Sequence, residues 1–219
     1  MRIGLIGGTG REGKGLALRW TKAGHRVSIG SRDAHKARER AAELTAAGLG
    51  AIEGGSNESI VAESEIALLS VPYAAHGPTL RGLRDALQGR VLIDITVPLA
   101  PPAFAEVHLP PGQAAALEAQ EILGPGVSVA AAMHHVSSAH LADPARAIEA
   151  DVCVVANDPK VREAVMRLVA DLGLNPLDAG PLRNAIALES LTPLLLHLTK
   201  RYGSSGAGVR FTNLVPKTK

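Results

Sequence analysis

A doubly wound α/β fold, with a parallel sheet covered by helices on both faces, is predicted by three features. Short apolar runs are continuous instead of alternating, so both faces of each strand must be buried. Amphipathic, helix-like segments separate these runs, as crossovers between parallel strands require. The first run, Arg2 to Gly7, passes straight into a glycine cluster and then into a helical pattern. Composition agrees. The chain has 219 residues, 46% hydrophobic and 20% charged, which suits a packed core. That length fits one large domain, or one domain with a small appendage.

The elements are taken in chain order. A strand is expected over Arg2 to Gly7 and a helix over Gly13 to Gly24, stopped by its glycine. Arg26 to Gly30 reads as the second strand. Asp33 to Gly48 reads as a charged, alanine-rich helix with Asp33 at its N-terminus. Glu65 to Pro72 and Arg90 to Pro98 are further buried strands, each stopped by proline. Pro98 to Gly112 is a proline-rich loop. Val127 to His135 and Ala150 to Asn157 complete the apolar runs. A boundary is expected after Asn157, which gives a first domain over 1–157 and a small C-terminal helical domain over 158–219. The second holds a helix from Pro159 to Gly173, the short LNPLDAG, and a long apolar helix around Pro181 to Tyr202. The tail VPKTK reads as frayed.

Several function classes are excluded by composition. Lys and Arg number 23 against 21 Asp and Glu, so no basic stripe marks a nucleic-acid partner. Aromatics are only 2%, too few for base-stacking platforms. No apolar run approaches the ~20 residues of a membrane span, and the glycine-broken N-terminus does not read as a signal peptide. The single cysteine, Cys153, rules out an internal disulfide and fits a reducing cytoplasm. In its strand-like DVCVVA setting it reads as a buried, inert thiol.

The glycine cluster carries the first chemistry. Gly8-Thr9-Gly10-Arg11-Glu12-Gly13 satisfies G-x-G-x-x-G after a strand and before a helix, the context of a dinucleotide-binding fingerprint. Gly8 permits the tight turn, Gly10 lets backbone approach a pyrophosphate, and Gly13 lets helix and strand pack closely. The helix then points free N–H groups and its positive dipole end at the phosphates. The first domain is therefore a Rossmann-type doubly wound parallel sheet. Glu12 is the odd residue, since a carboxylate there repels phosphate unless it points outward or pairs with Arg11 or Lys14.

The end of the second strand selects the nucleotide. NAD binders place a carboxylate there to hold the ribose hydroxyls. This chain has Gly30-Ser31-Arg32 instead, with Lys36 one helical turn on. A hydroxyl, a guanidinium and an ammonium suit a 2′-phosphate. Asp33 is expected to cap the following helix. NADP is the expected dinucleotide.

Taken together, GGTGREGKGLALR, GSR, LDAGPLRNA and ESLTPLLL resemble the NADPH-dependent reductases of the deazaflavin coenzyme F420, the F420H2:NADP oxidoreductases. The resemblance runs from Met1 to about Phe211, and its C-terminal motif is the discriminating part. It implies reversible hydride transfer between NADP(H) and coenzyme F420 by a cytoplasmic homo-oligomer with a small C-terminal domain. Under it, Thr9, Gly10, Arg11 and Glu12 match the pyrophosphate turn, and Ser31, Arg32 and Lys36 the 2′-phosphate site. Ser70, Val71 and Pro72 match the cofactor-bordering loop after the fourth strand. Thr96 to Leu99, with Val97 and Pro98, match the loop near the nicotinamide. Ala132 to Ala139 match the deazaflavin segment, with His134 in the family's histidine position and Ala132, Val136, Ser137 and Ala139 around it. The chain departs from the family at Arg11 and Glu12, often uncharged; at Ser137, often proline; and at Ile186, where relatives can carry a basic residue.

Hydride transfer asks little of side chains. Two rings must stack with donor and acceptor carbons ~3–3.5 Å apart, and the cofactors carry the chemistry. This suits a sequence with no Ser-His-Asp set, no paired carboxylates and no Tyr-x-x-x-Lys. His134 or His135 is a candidate partner for a deazaflavin carbonyl; the alternative is a structural histidine at a strand end. His134, His135 and His140 lack metal-ligand spacing, so no metal is expected. His76 and His108 read as isolated surface residues. Glu189, on the apolar C-terminal helix, reads either as a pocket wall or subunit contact, or as a cap-like or partly wet carboxylate. Leucines cover most sides of that helix, which implies burial against two partners, one of them a second subunit of a homodimer. A Rossmann imine or carbonyl reductase and a non-catalytic NADPH-sensing module are the competing readings.

Overall fold

The computed structural model describes residues 1–214; the tail expected to fray, VPKTK, lies outside the described residues. Sixteen strands and helices run in chain order: β1 (Arg2–Ile6), α1 (Arg11–Lys22), β2 (Arg26–Ser31), α2 (Ala34–Thr45), β3 (Ile52–Ser56), α3 (Asn57–Glu63), β4 (Ile66–Leu69), α4 (Tyr73–Leu83), β5 (Val91–Asp94), α5 (Ala115–Leu123), β6 (Ser128–Ala131), α6 (Ser138–Leu141), β7 (Asp151–Ala156), α7 (Pro159–Asp171), β8 (Asn175–Asp178) and α8 (Ala185–Tyr202). A short 3-10 turn, Leu182–Asn184, leads into α8.

One eight-stranded sheet runs β3-β2-β1-β4-β5-β6-β7-β8. Strands β1 to β6 are parallel. The run holding β7 enters antiparallel to β6, through only two paired positions, and β8 then lies parallel to β7. Continuous apolar runs report burial on both faces, not direction, so this reversal has no signature in the sequence.

Strand alternation divides the core in two. Ile3, Leu5, Ile93, Val152 and Val154 point to one face, under Leu16 and Trp20 of α1 and Val165 and Leu168 of α7. Ile6, Leu92 and Val155 point to the other, under Ile60 of α3, Leu80 of α4, Ala119 of α5 and Leu188 of α8. Each fully buried large side chain contributes about 1.5–3 kcal/mol of transfer free energy.

The boundary expected after Asn157 falls inside this architecture. Helix α7 packs on the first core and β8 pairs with β7, so 158–178 continues the sheet layer. The turn at 179–184 and the start of α8 pack on the second core through Leu182, Ala185 and Leu188. Pro176 sits in β8 at the sheet edge, where a missing N–H costs least. Two strands are not among those expected, β3 and β8, and both are edges. Among the described residues no helix is long and apolar enough to cross a membrane.

Candidate functional site

The first turn is built by glycines that protein contacts demand. Gly7, with φ +71°, takes the left-handed conformation that makes the chain reverse after β1; the sequence points to Gly8 for this job. The Gly8 N–H instead donates to Leu5 O and Gly30 O, both at 3.1 Å. A Cβ on Gly13 would lie 2.5 Å from Gly8 O, so helix and turn can meet only with glycine there. A Cβ on Gly10 would meet nothing within 4 Å. Packing within the chain therefore places no demand for glycine at Gly10. Gly10 is also the N-cap of α1 and offers no side-chain cap, which leaves the first N–H groups of that helix free for an anion.

A crevice of about 520 Å³ opens from this turn. It lies at the C-terminal ends of β1, β4, β5 and β6, beside the point where strand order reverses from β1 to β4. Gly10, Arg11 and Glu12 form its near end. Ser70, Val71 and Pro72 come from the β4 loop and Val97 from the β5 loop. His134, Val136 and Ser137 come from the segment after β6. The loops named from sequence thus converge on one cavity. Ala132, Pro98 and Ala139 do not line it. The first two are buried behind its wall, and Ala139 faces solvent from α6.

Ser31, Arg32 and Lys36 stand apart from the crevice wall, at the end of β2 and the start of α2. Asp33 caps α2 as expected, accepting from the His35 and Lys36 N–H groups at 3.0 and 3.3 Å, while its own N–H donates to Ser31 Oγ at 3.1 Å. Arg32 and Lys36 are exposed and, among the described residues, enter no ion pair. Their charges are free to meet an incoming phosphate.

His134 is buried, yet neither ring nitrogen has a hydrogen-bond partner among the described residues. Burial holds its pKa down to about 4, so the ring is neutral at neutral pH and offers one donor and one acceptor to a ligand. Its carbonyl accepts from Thr192 Oγ1 at 2.7 Å, which pins the segment to α8. His135 is already tied to Asp151 O at 2.9 Å. His135 also lines the crevice, with its Nδ1 unpartnered among the described residues; His134 differs in having neither ring nitrogen partnered.

A pocket wall is expected from 158–219 without its side chains being named; helix α8 supplies the ones that line this crevice. Thr192, Leu195, Leu196 and Thr199 line the crevice at i, i+3, i+4 and i+7, one helical stripe. The spacing is readable, but leucines on other faces hide it. Residues 205–207 close the same side, with the Ala207 N–H donating to Thr199 Oγ1 at 2.9 Å. Ile186, one of the family departures, packs against the second core and does not line the crevice.

One polar group corrects an expectation and another decides between two readings. His76 is not a surface residue: it is 1% exposed, and its Nε2 lies 2.6 Å from Asp94 Oδ2. Asp94 Oδ1 accepts from the Thr96 N–H at 2.9 Å, which holds the crevice-lining β5 loop. Glu189 is cap-like. It accepts from the Ala115 and Ala116 N–H groups at 2.7 and 3.0 Å, covering the N-terminus of α5, which has no side-chain cap of its own. Burial pushes its pKa up to about 8 against the pull of those two bonds.

Comparison with known proteins agrees with this geometry. Residues 2–98 match the family model described as NADP oxidoreductase coenzyme F420-dependent. The chain is 38% identical to the F420-dependent NADP reductase of Methanothermobacter thermautotrophicus, over 98% of this chain and 96% of that one. It is 34% identical to the F420-dependent NADP reductase of Methanocaldococcus jannaschii, over 98% and 99%. A solved structure from Arthrobacter sp. FB24, a putative F420-dependent NADP-reductase, superposes with a TM-score of 0.81 at 23% identity. That match covers 97% of this chain and 100% of the other.

Proposed function

The chain belongs to the family of F420-dependent NADP reductases, and we propose that its crevice carries out reversible hydride transfer between NADP(H) and coenzyme F420. One observation carries this reading. A single cavity runs from an uncapped glycine turn to a buried, neutral histidine whose ring nitrogens lack partners. The first feature suits a pyrophosphate and the second a flat polar ring. The chemistry that the bound pair supplies is hydride transfer between the nicotinamide and deazaflavin rings.

The residues of the chain bind, orient and exclude water. Gly10 and the free N–H groups of α1 receive the pyrophosphate, and Ser31, Arg32 and Lys36 receive the 2′-phosphate. Ser70 to Pro72 and the β5 loop flank the nicotinamide. His134 hydrogen-bonds the deazaflavin, and the α8 stripe keeps water from the rings. Work divides along the chain. The part over 1–157 holds NADP, and within 158–219 it is α8 and the segment after it that wall the deazaflavin side. The imine-reductase and sensing-module readings have no observation of their own in this crevice.

Two further assignments extend the reading. Leu194 and Tyr202 on α8 are 50% and 77% exposed, side chains that a second copy would cover in a homodimer. Light scattering at micromolar concentration tests it, and a monomer would remove it. The lone buried thiol of Cys153 fits a reducing compartment, here assigned as the cytoplasm; cell fractionation tests that.

The activity is tested by mixing protein, NADPH and F420. Absorbance of the oxidised deazaflavin at about 420 nm should bleach. Tight NADPH binding without bleaching would overturn the reading.

A further inference from the structure

Glu12 is the residue in the glycine fingerprint that dinucleotide binding leaves unexplained. It occupies the second position of α1, directly after the open Gly10 and Arg11, and lines the crevice beside them. Among the described residues it forms no hydrogen bond or ion pair, so neither Arg11 nor Lys14 neutralises it. A carboxylate left ionised there would repel the pyrophosphate that the turn is shaped to take.

We propose, resting on the dinucleotide reading above, that NADP(H) binding is coupled to proton uptake at Glu12, whose neutral carboxyl donates its O–H toward the bound pyrophosphate. A protonated carboxyl gains a donor and loses its charge, so one proton converts the worst neighbour of a phosphate into a ligand for it.

The surroundings favour this. Glu12 is half-buried at the crevice wall, and the loss of solvent there pushes its pKa up to about 7, with no charged neighbour opposing the shift. The titratable groups that share the crevice are Arg11 on α1 itself, Tyr73 on α4, and His134 and His135 after β6. Lys14 lies just beyond on α1. Both histidines are held neutral by burial. Tyr73 is pushed up to about 12 by burial and by its bond to Glu118, so it stays protonated. The β5 loop, the start of α6, α8 and residues 205–207 contribute uncharged side chains to the wall. An arriving pyrophosphate raises the carboxyl's pKa further.

Linkage sets the sign. A group whose pKa rises on binding favours the complex below its free pKa, and the advantage is lost as pH climbs toward its bound value. Binding of NADP+ should therefore weaken by more than about tenfold from pH 7.5 to 9. Over that range the 2′-phosphate is fully ionised, since its second pKa is near 6, and contributes no slope.

Calorimetry of the full chain with NADP+, in two buffers of different ionisation enthalpy at pH 8, counts the protons. Between about half and one proton should be taken up per NADP+ bound, and E12Q should take up none and bind with a flat pH profile. Wild-type affinity that does not change between pH 7.5 and 9 would overturn the proposal with no variant needed. So would an E12Q protein, shown to be folded by its thermal melt, that keeps the proton uptake. Absence of NADP+ binding even at pH 6.5 would instead remove the dinucleotide reading, and this inference with it.

Discussion

His76 Nε2 and Asp94 Oδ2 meet at 2.6 Å, with 1% and 0% of their side chains exposed. The histidine comes from α4 and the carboxylate from the end of β5. The other Asp94 oxygen holds the Thr96 N–H, so the pair ties a helix, a strand and a crevice loop together. Removing either partner leaves the other buried and unpaired, at a cost of about 3–5 kcal/mol. H76A and D94A should each lower urea-unfolding stability by that order. The double variant should lose at least ~1 kcal/mol less than the sum of the singles. Strictly additive losses would show that the two do not act as a pair.

Arg32 and Lys36 are proposed to select between dinucleotides. Both are exposed and without ion pairs among the described residues, and Asp33 is occupied in capping α2. R32E places a carboxylate where a 2′-phosphate must sit. The KM for NADPH should rise well over tenfold, at least ~1.4 kcal/mol of binding, while NADH is affected far less. An unchanged KM for NADPH would remove the assignment.

Much of this layout is legible because buried parallel strands cannot alternate. Runs such as GLIG before the fingerprint and VLID before the β5 loop announce both-face burial, and the glycine spacing announces a phosphate-binding turn at the start of a helix. The unread parts share one cause: their meaning lies in partners distant in sequence. Strand β3, Ile52–Ser56, holds Glu53 and two glycines because it is an edge crossed closely by α2 at Gly54 and by α3 at Gly55. His76 looks isolated because its partner stands eighteen residues later on another element. Glu189 finds no partner on its own helix because it serves α5, more than seventy residues earlier.

Glu189 also makes stability depend on pH. Its carboxyl is raised on folding from an ordinary 4.5 to about 8. A carboxyl that holds its proton more tightly when folded contributes fully below its unfolded pKa, and that contribution is lost as pH rises toward about 8. E189Q keeps one acceptor oxygen and no titration. At pH 5 it should be less stable than wild type by ~1–2 kcal/mol, from one lost cap bond. The gap should close as pH rises and reverse before pH 8.5, leaving E189Q the more stable protein. Thermal melts of the two proteins across that range check this, and parallel curves would count against it.

Gly10 and Gly13 should separate binding from folding. A methyl on Gly13 would press on Gly8 O at 2.5 Å, against backbone that cannot move away. G13A should therefore cost ~1–3 kcal/mol of stability as an overpacked site. A methyl on Gly10 meets no protein atom within 4 Å, and Gly10 has an extended backbone, φ −77° and ψ 180°, that alanine also adopts. G10A should melt within about a degree or two of wild type yet bind NADPH much more weakly, because the space it fills is that of the pyrophosphate. Urea unfolding and calorimetric titration of the same two variants read both axes. If G10A bound NADPH as wild type does, the phosphates would not approach this turn, and the orientation of the dinucleotide in the crevice would have to be reversed.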